Sequence, residues 1–153
     1  MASDIMKDKS LKNLRTKIDK LDKEIYKLIQ QRASHAVAIG KIKSEVSPKE
    51  SFYRPDRETK ILRNILNANN KGLLPDSKIR AIYKELISGC LSLEETLKIA
   101  YLGPEGTHSE AAVHNQFGSQ ALRIPTATID DVFYQVINDD VNLGVVPVEN
   151  SSE

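Results

Sequence analysis

The sequence predicts a mostly α protein: three helices, the first very long, followed by a partial α/β segment of βαβαβ order. Three observations carry this. Over roughly the first 97 residues apolar side chains recur at alternating spacings of three and four, a helical period. Over about the last 55 the apolar runs are short and punctuated by Gly and Pro. The two grammars meet near "EETLKIAYLG", with no internal repeat or low-complexity linker between them. The chain therefore divides into an all-α part, residues 1–97, and an α/β part, residues 98–153.

The first helix is predicted to start at Ser10, a residue type that caps helix N-termini. Leu11, Leu14, Ile18, Leu21, Ile25 and Leu28, then Ile39, Ile42 and Val46, form a heptad-like seam, and no Pro intervenes before Pro48. Roughly 35 residues of helix extend ~52 Å, whereas a domain of ~100 residues has a radius of gyration near 13 Å. Its own chain cannot cover such a helix, so a second copy is implied. The second helix opens at "PDRETKILRNILNANN", with Pro55 and Asp56 suited to a first turn, and ends before Gly72 and Pro75. The third, "DSKIRAIYKELISGCLSLEETL", presents Ile79, Ile82, Tyr83, Leu86, Ile87, Cys90 and Leu97. Three such helices close no compact monomeric core; two copies give a six-helix dimer.

In the second part "LKIAYLG", "QALRIPTA" and "VNLGVVPVEN" read as strands, and "PEGTHSEAAVHNQFG" and "TIDDVFYQVIN" as turn-and-helix segments. That order begins a doubly wound sheet, whose functional groups gather at the C-terminal ends of the strands. Gly106, Thr107 and Ser109 after strand one, and Glu149, Asn150 and Ser151 after strand three, can line one crevice. Backbone N–H groups from Gly106 to Ser109 can cradle a carboxylate, or be an ordinary Gly-Pro turn and helix cap. Three strands with unpaired edges and exposed apolar faces make a poor independent domain. Residues 99–153 are accordingly expected to exchange amide hydrogens faster than the first helix.

Composition narrows the function. Lys and Arg number 22 against 21 Asp and Glu, a net charge of +1, which gives no global attraction for nucleic acid or an anionic membrane. No stretch is apolar enough to span a bilayer, and "MASDIMKDKS" has no signal-peptide apolar core. The single cysteine, Cys90, cannot make an internal disulfide; a reducing, cytoplasmic setting is expected. No His or Cys pair stands at metal-ligand spacing, so no metal is expected.

The chemistry is sought where charge interrupts a seam. Arg32 and His35 occupy seam positions. His35 reads as a tolerated, partly buried side chain. Arg32 reads either as a register-setting polar residue or as a cation awaiting an anion, because a buried charge needs a partner. Lys43 lies eleven residues on, three turns plus ~20°, on the same face and ~16 Å along the axis. Arg15, ~25 Å from Arg32 in the other direction, reaches the same ligand only from an antiparallel partner helix. That requires the helices to cross near Ile25 and Tyr26. Arg57 and Glu58 sit in the first turn of the second helix, and Cys90 and Glu94, four apart, share a face of the third.

"LKNLRTKIDKLDKEIYKLIQQR", "GKIK", "YRPDRE" and "CLSLE" together resemble the all-helical, AroQ-type chorismate mutases over residues 10–97. The resemblance implies an entwined homodimer that rearranges chorismate to prephenate without a cofactor or covalent intermediate. It implies that Arg15 of the partner subunit and Arg32 grip the substrate carboxylates, supported by Arg57. It places Lys43 and Glu94 at the ether oxygen, Glu58 at the substrate hydroxyl, and Cys90 near a carboxylate. Arg54 stands where some relatives carry an acidic substrate-contacting residue. Many relatives carry Gln at the position of Glu94; Glu donates a hydrogen bond only when protonated, so activity is expected to fall as pH rises, and Glu94→Gln to flatten the profile. "IAYLGPEGTHSEAA" and "GVVPVENSSE" resemble the opening of prephenate dehydratases, with His108 where an aromatic is usual. The order matches the bifunctional P-proteins of phenylalanine biosynthesis. The Thr-Arg-Phe segment that supplies that family's catalytic threonine, and its ACT domain, do not occur in these residues, so dehydratase activity is not expected of them. The alternative is a non-catalytic helical dimerisation module joined to a binding-domain fragment.

Overall fold

The structure is a computed structural model that describes residues 2–46, 53–70 and 72–148. These fall into two units, one reaching to His35 and one from Ala36 onward. The order of elements is α1 (Ala2–Val46), α2 (Pro55–Ala68), α3 (Asp76–Leu91), β1 (Lys98–Leu102), α4 (His108–Phe117), β2 (Leu122–Thr126), α5 (Ile129–Ile137) and β3 (Leu143–Val145).

The first unit is the amino-terminal part of α1. The helix begins at Ala2 rather than at Ser10 and runs 45 residues, ~67 Å. Nothing in "ASDIMKDKS" stops it: the stretch has no Gly or Pro, and Ser within an exposed helix costs only a few tenths of a kcal/mol. The seam is laid out as the period predicts, and in the single chain it faces solvent. Leu14, Ile18, Leu21 and Ile25 are each 52–56% exposed.

The second unit holds the buried core among the described residues. Arg54 precedes α2 and its carbonyl accepts the Glu58 N–H; Pro55 takes the first helical position. Asn69 closes the link to α3, donating through its side-chain amide to the Leu74 carbonyl and to Asp76 at 2.7 Å. α3 stops at Leu91, six residues short of the expected Leu97. Its last turn tightens, with the N–H groups of Leu93 and Glu94 bonding three residues back to Cys90 and Leu91. Leu97, counted above among the helix positions, is pulled into the α/β core at 5% exposure. Burying it against the sheet outweighs one more helical turn, so Glu94 sits in a turn rather than on the helix.

The sheet is parallel throughout in the order β2-β1-β3. Strand alternation splits the core in two. Ile99 and Tyr101 point one way, onto Val113 of α4 with Leu97 and Ala121. Ala100 points the other way, onto Val132 of α5 with Val141. The helices thus lie on opposite faces, the doubly wound arrangement. Both are capped by threonine: Thr107 accepts from the Glu110 N–H, and Thr128 and Asp131 form a reciprocal capping box. Ile99, Ala100 and Tyr101 are fully buried. The faces of the central strand are therefore not exposed as expected, because Tyr53 and Leu91 from the helical part add cover on the α4 side. β3 is only three residues long.

The same part is stitched to α3 at the end of α4. The Lys84 ammonium donates to the carbonyls of Asn115 and Gln116, where the helix dipole is negative. The Glu85 carboxylate accepts from the Ser119 N–H and, at 2.6 Å, its hydroxyl. Gly118, at φ 79°, leaves no room for a side chain against Ser88. Tyr53 meets Phe117 edge-on, with ring centroids 5.3 Å apart.

Candidate active site

In the first unit Arg15 is exposed and Arg32 half-buried, while His35 is exposed. Farther along α1, within the second unit, the helix turns Ala36 and Gly40 inward and leaves Lys43 half-buried. Gly40 lies directly over the Glu94 turn: a Cβ there would come within 3.2 Å of the Glu94 Cα and 3.3 Å of its Cβ. This close approach lets Lys43, one turn on, reach Glu94, and Nζ and Oε2 stand 3.3 Å apart. The Glu94 side chain is only 12% exposed, so the pair is shielded on the carboxylate side. Such a pair can present an ammonium and a carboxyl to one point of a ligand.

The remaining helical candidates lie on α2 and α3 or at their ends. Cys90 is buried at 5% exposure, a turn before Glu94. Arg54 and Arg57 are exposed at the start of α2. Glu58, half-buried, lines a cavity of about 390 Å³ between α2 and α3, with Leu62, Arg63, Arg80, Lys84 and Gln116. Burial pushes the Glu58 carboxyl above its ordinary value, and the Lys84 ammonium opposes that rise.

In the α/β part Gly106, Thr107 and Ser109 stand at the α4 N-terminus as predicted. The carboxylate held there is the chain's own: the Gly106 N–H donates to Glu110 Oε2 at 2.7 Å, and Arg123 Nε to Oε1 at 3.1 Å. The Gly106 hydrogen bond, then Arg123, holds the Glu110 carboxyl below the ordinary range. The Tyr101 hydroxyl is buried with no hydrogen-bond partner; burial, then the charges of Glu110 and Glu105, pushes it up. Glu149, Asn150 and Ser151 lie outside the described residues. Among the described residues no group of three His, Cys, Asp or Glu is placed to hold a metal ion, and no helix is long and apolar enough to cross a membrane.

Gly40 and Glu110 were not singled out from the sequence, although both left a signal. An isolated Gly in a helix costs ~1 kcal/mol against Ala and implies a packing reason. Thr107 followed three residues later by Glu110 is a helix-start signature.

Residues 14–95 match the family Chorismate mutase type II. The chain belongs to that family. Residues 99–153 match a second family, Prephenate dehydratase. Proteins named bifunctional chorismate mutase/prephenate dehydratase align with nearly the whole chain. Those of Stutzerimonas stutzeri and Pseudomonas aeruginosa are 46% and 44% identical over 146 residues, 94% of this chain and 40% of the relative. That of Escherichia coli is 27% identical over 159 aligned positions, covering 91% of this chain and 40% of the relative. The chain thus spans about 40% of the length of these relatives. The chorismate mutase domain is the part with Lys43 and Glu94; the dehydratase-like part is the parallel sheet with α4 and α5.

Proposed function

We propose that this chain catalyses the rearrangement of chorismate to prephenate, as a cytoplasmic homodimer in phenylalanine biosynthesis. Residues 1–97 form the mutase domain, and residues 98–153 form the opening of a dehydratase domain. The observation that carries the reading is the Lys43–Glu94 pair, at 3.3 Å, within a chain of the mutase family. The reaction is a Claisen rearrangement of a dicarboxylate: the ether C–O bond breaks as a new C–C bond forms, with no acyl or phosphoryl intermediate and no cofactor. Catalysis then consists of holding a flexible dianion in a compact chair and stabilising charge on the departing oxygen.

In this reading Arg32 and Arg15 of the partner subunit grip the carboxylates through paired N–H donors, with Arg57 in support, Arg54 at the rim and Cys90 near one carboxylate. Lys43 donates to the ether oxygen where negative charge develops. Glu94 faces the same oxygen beside it. Glu58 receives the substrate hydroxyl. The half-exposed seam of α1 supports the second copy, since apolar residues at this spacing are covered in a helical dimer. In the dehydratase-like part, Gly106, Thr107 and Ser109, and by sequence Glu149, Asn150 and Ser151, belong to a partial dehydratase crevice, from which no dehydratase activity is expected by itself.

Loss of chorismate ultraviolet absorbance on adding the chain tests the activity. A folded dimer that consumes no chorismate would instead make residues 1–97 a dimerisation module. Arg32→Ala is expected to reduce turnover about a thousand-fold while the dimer persists; a variant that merely unfolds assigns Arg32 to register. Glu94→Gln, whose amide donates a hydrogen bond at every pH, is expected to retain turnover and to change the pH–activity profile. Identical profiles would remove Glu94 from the chemistry.

A further inference from the structure

The turn that carries Glu94 is held from two sides. On one, Gly40 of α1 packs against the backbone of Glu94 itself. On the other, the next residue, Glu95, accepts a hydrogen bond from Asn142 Nδ2 at 2.9 Å. Asn142 belongs to the dehydratase-like part, immediately before β3. Its side-chain oxygen accepts the Lys98 N–H at 2.7 Å, and its own N–H donates to the Lys98 carbonyl at 2.9 Å. One side chain therefore joins the start of β1, the entry to β3 and the turn after α3. Within the turn the N–H groups of Leu93, Glu94 and Glu95 reach back to Cys90 and Leu91, and the first strand begins at Lys98.

We propose that Asn142 is a positioning residue for the mutase reaction, by which the α/β part fixes the Glu94 turn against Lys43. The inference rests on the mutase reading of the Lys43–Glu94 pair. Asn142 touches no substrate; it acts through Glu95 on the carboxyl next in sequence. A displacement of the order of an ångström at a group facing the reacting atoms costs up to about a hundred-fold in rate, so one bracing hydrogen bond has leverage on kcat out of proportion to its own strength. The second part of the chain thereby becomes a structural component of the first part's active site.

The test uses the whole chain and chorismate. Asn142→Asp keeps the size of the side chain and the oxygen that accepts from Lys98, but removes the donor and sets a carboxylate against Glu95. It is expected to lower kcat about ten-fold with KM within about two-fold of the parent, because the interaction lost acts on the ether-oxygen side rather than on carboxylate binding. Adding Glu95→Gln reverses donor and acceptor and restores the bond, so the double variant is expected to recover most of kcat. A packing role alone would not respond to that exchange. Should Asn142→Asp fail to fold, Glu95→Ala removes the acceptor of the same bond and is expected to lower kcat at least as much. Unchanged kcat in Asn142→Asp or Glu95→Ala, or a double variant no better than Asn142→Asp, overturns the proposal. A parent chain with no turnover would instead sink the mutase reading.

Discussion

The amino-terminal length of α1 and the central strand β1 handle apolar surface in opposite ways. Along α1 the apolar residues are regular, numerous and half-exposed. Along β1 three consecutive residues, Ile99, Ala100 and Tyr101, are fully buried, covered by α4 on one face and α5 on the other. The strand finds its cover within about 45 residues of its own chain; the helix is too long to do so, and in the proposed dimer the second copy would cover it. Order in α1 is therefore expected to depend on protein concentration, and order in β1 to be independent of it.

The sharpest way to break this comparison is a charge in the seam. Ile25→Lys places like charges near the expected crossing of two helices, and is expected to cost more than about 3 kcal/mol of dimer stability. Sedimentation should find monomers, chorismate turnover should disappear, and β1 amides should keep their protection from hydrogen exchange. A dimer that survives would move the crossing away from Ile25. In the opposite region, Val132→Ala leaves a cavity under Ala100 and is expected to destabilise the α/β core by about 2 kcal/mol. Thermal unfolding of that part should shift while the dimer is retained; a coupled loss of dimer would show that the regions are not independent.

Two smaller changes refine the picture of the sheet. Tyr101→Phe removes a buried hydroxyl that has no partner and is expected to raise stability by about 1 kcal/mol in denaturant titration. A loss would mean that the hydroxyl is engaged in solution. Glu110→Gln has the smallest expected effect. The folded-state pKa of Glu110 is depressed by the Gly106 hydrogen bond and by Arg123, so its charged form contributes stability above the unfolded carboxylate pKa. That contribution disappears as pH falls through the lower, folded value. Parent and variant should differ slightly in melting temperature at neutral pH and converge in acid. A difference that persists in acid would reject the assignment.

Much of this was legible in the residues themselves. Alternating three- and four-residue spacing foretold α1 and its unpaired seam, and short runs between Gly and Pro foretold βαβαβ. The ordered motifs around Arg32, Lys43, Arg57 and Glu94 carried the family by resemblance, and spacing along α1 put Arg32 and Lys43 on one face. The errors were at ends. Ser10 resembled a cap but lies inside a helix with nothing to stop it. "SLEETL" resembled a sixth turn of α3, yet burial of Leu97 under the sheet drew the chain out of helix at Leu91.

What the sequence alone determined is local and periodic: element types, the seam, the residue types that could meet a dicarboxylate. The tertiary structure decided which of these meet. Gly40 admits the Glu94 turn, Lys84 and Glu85 grip the end of α4, Glu110 fills the cradle at Gly106, and Asn142 reaches back to Glu95. These contacts join residues up to 54 positions apart, and each depends on a close approach or a single hydrogen bond. Periodicity reports which face of an element is apolar; it carries no record of which polar side chain will stand opposite once two elements pack.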